Sequence, residues 1–246
     1  MKKTILVVMI TTLILLSILS GCSNKTQLSD EPCAAPVSVV IADGDNARDA
    51  VTREIRKAKS MTQDEHMGYS NYLSNNVSEI KEFYSLDNLK IDGYELQSVS
   101  IAASSICFNF ASIEAKKDVS SNFIQIGVVR TDWEHKENFL KDGAAQAEEQ
   151  GWGYLTADNM LYSEKHGLLE AELNDTFIMI QLPQGYSQHV IDGIIKERDR
   201  LAEDEFQSAL DYAEEANRVS KELNNYEFLR ELAFRVIKTA ELINVE

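Results

Sequence analysis

Apolar side chains recur three or four positions apart at Ala47, Val51, Ile55 and Ala58 among charged residues, the spacing of one helix face. The stretch Asp43 to Ser60 is therefore expected to be a surface helix. A second helix is expected from Ser78 to Ser85, with Ile80, Phe83 and Tyr84 inward. The period then changes to two. Gly93 to Ile101 alternates as a half-buried strand does, and Ile106 to Phe110 repeats the pattern after a Ser-Ser turn, so the pair predicts a hairpin. Phe123 to Val129 reads as a third strand, and Glu134 to Gln150 as a helix stopped by Gly151. Trp152 to Thr156 with Met160 to Ser163, then Leu168 to Leu173 and Thr176 to Leu182, are further strands, the last two joined at the turn Asn174-Asp175. A run of hairpins with an inserted helix predicts an α+β fold: an antiparallel sheet with helices on one face.

The last block differs in period. From Gln188 to Asn224 apolar residues recur at Ile191, Ile194, Ile195, Leu201, Phe206, Ala209, Leu210, Ala213, Ala216 and Leu223. The pattern resumes after Asn224-Asn225 at Phe228, Leu229, Leu232, Ala233, Val236, Ile237, Ala240 and Ile243. No proline interrupts either part, and a C-terminal α-helical hairpin is expected over 187–246. Its first helix would carry an apolar stripe from Ile191 to Leu223, about 48 Å long at 1.5 Å per residue, which offers a surface to another protein.

The first residues carry a different message. Met1-Lys2-Lys3 precedes an apolar or hydroxyl run from Ile5 to Ile18, the order of a secretory signal peptide. As a helix that run spans about 21 Å, short of the roughly 30 Å hydrocarbon core of a bilayer. The residues Leu19-Ser20-Gly21-Cys22 resemble the lipobox of bacterial lipoproteins. The resemblance implies cleavage between Gly21 and Cys22, diacylglycerol on the Cys22 thiol, and anchoring to membrane lipid at the extracytoplasmic face of the cell membrane. Two acyl chains suffice for stable anchoring where one does not. The expected organisation is a signal peptide over 1–21, a lipidated tether over 22–42 whose part Ser23 to Pro36 is polar and aperiodic, an α+β domain over 43–186, and the helical hairpin.

Charge narrows the partners. The 246 residues hold 24 Lys and Arg against 40 Asp and Glu, and loss of Lys2 and Lys3 with the leader takes the formal charge from −16 to −18. So acidic a chain repels phosphate backbones, which excludes nucleic acid. With Cys22 lipidated, Cys33 and Cys107 remain; outside the cytoplasm they either pair as a disulfide or stand as two independent thiols.

The run Val77-Ser78-Glu79-Ile80-Lys81-Glu82-Phe83-Tyr84, then Leu89, then Asp92-Gly93-Tyr94-Glu95-Leu96, resembles the opening of an uncharacterised extracytoplasmic domain. That domain is shared by lipoproteins and anti-sigma-factor-like membrane proteins of Gram-positive bacteria. The order of elements continues the resemblance over about 77–198, although Asp92 stands where the domain has proline. It implies fold and location and brings no catalytic motif.

Patterns of site chemistry are sparse. Asp43-Gly44-Asp45 with Asp49 and Glu54 approaches a calcium loop, but Ala47 and Arg48 occupy its fifth and sixth positions, where a ligand and a glycine are needed. A helix start capped by Asp45 is the better reading. His66, His135, His166 and His189 show no metal-ligand spacing. Gly151-Trp152-Gly153 follows a helix and reads as a turn, not a phosphate loop. Trp133, Trp152, Tyr154 and Tyr162 form either a sugar-stacking platform or core, and Glu148-Glu149 and Glu214-Glu215 read as solvated helix faces. No catalytic, metal or cofactor residue is assigned. The expectation is a non-enzymatic binding, sensing or interaction module at the envelope, with an envelope protein as a partner through the C-terminal helices. The alternative is a small-ligand-binding or hydrolytic lipoprotein. A concave site with converging polar groups and a perturbed acid would favour the alternative, and an apolar patch the interaction module.

Overall fold

The computed structural model describes residues 37–41, 45–61, 77–102, 105–113, 124–130, 145, 149, 153–174, 176–183 and 185–245. The strands are β1 (Val37–Val40), β2 (Glu82–Ser85), β3 (Tyr94–Ala102), β4 (Ser105–Ser112), β5 (Ile124–Arg130), β6 (Tyr154–Leu155), β7 (Met160–Ser163), β8 (Leu168–Leu173), β9 (Thr176–Gln181) and β10 (Glu241–Asn244). The helices are α1 (Ala47–Ser60), α2 (Gln188–Lys196), α3 (Glu203–Leu223) and α4 (Tyr226–Thr239), with a 3-10 turn at Arg198–Arg200. The result is an α+β fold with a large antiparallel sheet.

Eight strands form the sheet in the order β1-β3-β4-β5-β9-β8-β7-β6, and β2 pairs with β10 in a separate two-stranded sheet. Register explains the core. Val99, Phe108, Ile126, Ile180, Leu169 and Tyr162 stand opposite one another across β3, β4, β5, β9, β8 and β7, and all six are buried. A β-bulge between Leu96 and Ser98 shifts the inward positions of β3 from Leu96 to Val99, as one extra residue must. Ala47, Val51, Ile55 and Ala58 of α1 close over this face together with Leu229, Leu232, Ala233 and Val236 of α4.

Several expectations are corrected. The helix expected over 78–85 is confined to a turn at 77–79, and its second half is β2. The reason is non-local: β10 pairs with β2 in antiparallel register from Glu241↔Ser85 to Asn244↔Glu82. Ile243, expected on a helix, therefore lies in a strand. Val37–Val40, expected within the tether, pairs with β3 as an edge strand. The helix start is capped by Asn46, whose side chain accepts from Asp49 N, while Asp45 takes Arg53 instead. The helix expected over 134–150 lies outside the described residues except Ala145 and Glu149, both helical.

The C-terminal block is divided where the apolar pattern pauses between Ile195 and Leu201. Leu201 and Ala202 are extended, and α3 starts afresh with the Glu205 carboxylate accepting from Ala202 N at 3.4 Å. The charged run Lys196 to Arg200 has no apolar side chain to hold it on the core, so the helix breaks there. Two helices do follow in sequence across Asn224-Asn225, yet α3 packs against α2 while α4 lies on β8 and β9.

Candidate functional site

The second face of the sheet carries the polar residues. Because side chains alternate, register defines two adjacent rows there. Ser98, Asn109, Gln125, Gln181, Leu168 and Ser163 form one; Ser100, Cys107, Gly127, Met179, Glu170 and Leu161 form the other. In the first row Ser98, Asn109, Gln125 and Ser163 are buried. Asn109 Nδ2 donates to Ser98 Oγ at 3.2 Å and Ser100 Oγ at 3.0 Å, and Gln181 Nε2 donates to the His166 and Leu182 carbonyls. Asn109 Oδ1 and Ser163 Oγ are buried and meet no hydrogen-bond partner among the described residues.

Glu170 stands in the second row, on β8. Leu161 of β7 and Met179 of β9 lie directly opposite it. Leu168 and Glu172 flank it along β8, and Ser163, Phe177 and Gln181 are its diagonal neighbours. None of these seven is a base. Glu170 accepts no hydrogen bond and joins no ion pair among the described residues, and desolvation alone pushes its carboxyl up to about 7. The residue as a whole is half-buried.

Between the β6–β7 turn and α4, by contrast, polar side chains form a connected network. Tyr226 Oη lies 3.0 Å from Asp158 Oδ2 and from Thr156 Oγ1, and Arg230 Nε donates to the same carboxylate oxygen. These hydrogen bonds hold Asp158 below the usual carboxylate range. Tyr162 Oη donates towards Asn224, and Asn224 Nδ2 donates to the Glu164 carbonyl at 2.6 Å. The rings of Tyr154, Tyr162 and Tyr226 follow one another at 5.6 and 5.8 Å. This network fastens α4 to the sheet. It also splits the expected aromatic platform: Tyr162 is core, Tyr154 is exposed, and Trp133 and Trp152 lie outside the described residues.

A third feature is apolar. No side chain of α2 is buried, and Val190 and Ile195 are 43% and 48% exposed.

Of the residues singled out in the sequence, Gly21, Cys22 and Cys33 lie outside the described residues, as do His66 and His135. Cys107 is half-buried in the second row between Ser100 and Gly127. His166 lies in the turn before β8 and His189 on α2. Glu215 is no freely solvated acid, since Arg218 grips it through Nε and Nη2 and holds it below its ordinary range. Among the described residues, no three His, Cys, Asp or Glu side chains gather as for a metal ion, and no helix is long and apolar enough to cross a membrane. Sequence reading missed Glu170 because Leu168-Leu169-Glu170-Ala171-Glu172-Leu173 alternates as an ordinary half-solvated strand does.

No protein-family model matches the chain, and comparison with curated proteins and with solved structures gives no match.

Proposed function

We propose that this chain is a lipid-anchored, extracytoplasmic binding module whose site is the second face of β7, β8 and β9. The observation that carries the reading is Glu170, an acid with no counter-charge among the described residues, set beside the half-buried Leu168, Phe177 and Met179 and the buried Leu161. A desolvated carboxyl weakens a fold, and an apolar side chain at this position would strengthen it. Groups that stand against stability in this way mark sites where something else is gained. The location rests on the signal peptide and on Leu19-Ser20-Gly21-Cys22.

A second surface is favoured by α2, whose apolar side chains Val190 and Ile195 its own fold leaves uncovered. In this reading the C-terminal helices form their pair as α2 folded back on α3, and that pair faces an envelope protein.

Replacing Glu170 by Leu tests the site. The variant is expected to melt higher than the parent protein, and a lower melting temperature would show that the acid serves the fold and end the reading. The anchor is tested by labelling with palmitate: Cys22→Ala is expected to lose the label, and a variant that keeps it has no anchor at that thiol.

A further inference from the structure

Resting on the reading of α2 and α3 as a pair that faces an envelope protein, we propose that this protein is a second copy of the same chain, docked with its α2 laid antiparallel on the α2 of the first.

Its own fold leaves α2 uncovered. None of its side chains is buried, and Ile195 is 48% exposed. Ile191 and Ile195 stand four positions apart and so lie one above the other along the helix; Asp192 and Lys196 do the same in the adjoining row. The two rows make one side of α2, and Gln188 extends it, its Nε2 donating to Asp192 Oδ1 at 2.9 Å. Asp192 and Lys196 are exposed, and neither joins an ion pair among the described residues. The acids and bases just beyond them are already engaged, Arg200 with Glu197 at 3.0 Å and Arg198 with Glu203 at 3.7 Å.

That side is its own complement. A contact about a two-fold axis uses the same patch on both copies, so that residue i meets j and j meets i. With the axis passing between Gly193 and Ile194, each Ile191 meets the other copy's Ile195 and each Asp192 meets the other copy's Lys196. Four residues thus supply two apolar contacts and two ion pairs. The parallel arrangement is disfavoured, because it sets Asp192 on Asp192 and Lys196 on Lys196.

Charge also says where two copies can approach. From residue 22 onward the chain carries a formal charge of −18, and like-charged copies repel. Residues 188–200 hold three bases and three acids, whereas the remainder of that part holds 19 bases against 37 acids. Charges on the surface are screened within about 8 Å at physiological salt, so the balance at α2 governs a contact made there. A segment without net charge gains nothing from an anionic bilayer surface. The contact is small, since α2 has nine residues; anchors that hold both copies in one membrane plane raise their effective concentration and offset the small area.

The experiment uses the full lipidated chain in phosphatidylcholine vesicles, with donor-labelled and acceptor-labelled copies mixed and energy transfer followed as surface density rises. Transfer is expected to exceed that of randomly placed copies. Lys196→Glu and Asp192→Lys each turn both ion pairs into like-charge contacts, and each is expected to raise the density needed for pairing by about tenfold, the combined effect of two exposed pairs. Placed together in one chain, the two substitutions exchange the charges and are expected to restore pairing, which damage to the fold would not. Transfer no greater than random, single substitutions without effect, or an exchanged pair that stays apart would each overturn the second copy as the partner. Flotation with the vesicles reads the anchor separately. A chain that floats but does not pair keeps the anchor and loses the dimer. One that does not float loses the anchor, and the same variants are then compared by sedimentation in solution, where pairing restored by the exchanged charges keeps the dimer and a monomer at every concentration removes it.

Discussion

The carboxylate of Asp87 closes the N-terminus of α1 across 40 positions of the chain, Oδ1 accepting from Ala47 N at 2.6 Å and Oδ2 from Arg48 N at 2.9 Å. Ser85 Oγ donates to the same group at 2.6 Å. An acid at the first turn satisfies amides that have no intrahelical partner and meets the positive end of the helix dipole. Together with Asn46 it fastens α1 to the segment that follows β2.

Asp87→Ala is accordingly expected to cost about 1 to 2 kcal/mol, the range for loss of a helix cap. Urea denaturation measures it, and an unchanged midpoint would show that solvent serves the two amides equally well.

Glu170 sets part of the pH dependence of stability. Its folded-state value of about 7 lies above the ordinary 4.5, so the folded chain holds a proton that the unfolded chain releases. Below the ordinary value both states are protonated and there is no penalty. As pH rises towards 7 stability falls, and above it the full penalty of about 3 kcal/mol persists. Glu170→Gln is expected to remove this part of the slope between acid and neutral pH. Parallel melting curves for the two proteins across that window would refute it.

The C-terminal helix belongs to the core. Leu229, Leu232, Ala233 and Val236 are fully buried, and α4 lies on β8 and β9. Leu232→Ala is expected to cost about 2 to 5 kcal/mol through the lost apolar contact and the cavity left behind. Deleting residues 224–246 should abolish cooperative unfolding, since it also removes the partner of β2. A cooperative melt in the truncated chain would show the sheet to be self-sufficient.

Gly167 holds the turn that delivers β8. Its φ is +58°, and an added Cβ would meet the Leu182 Cβ at 3.2 Å. Gly167→Ala is expected to cost about 1 to 2 kcal/mol, the penalty for a left-handed L-residue, and Gly167→Asn less, because asparagine visits that region more readily. Equal melting temperatures for alanine and asparagine would place the cost in the contact instead of the backbone.

Local pattern determined much of this protein. The faces of α1 and α4 could be read from spacing alone, since a helix that buries one stripe must repeat every three or four residues. The strand pairs β3–β4 and β8–β9 could be read from alternation and from turn residues, and Asn174 adopts the left-handed φ of 51° that its place in the turn demands. The proposed leader and lipobox rest likewise on local signals.

Tertiary structure decided whatever depends on a distant partner. Glu82–Ser85 is a strand because Glu241–Asn244 lies beside it, and the C-terminal helices separate because α4 gains more by covering β8 and β9 than by lying along α3. Glu170 shows the same division most sharply. Its sequence neighbours Leu169 and Ala171 mark it as a residue of the second face of an alternating strand, and there it lies; only the assembled sheet sets Leu161 and Met179 against it with no base among its described strand neighbours, and burial, unlike alternation, is a property of what arrives from elsewhere in the chain.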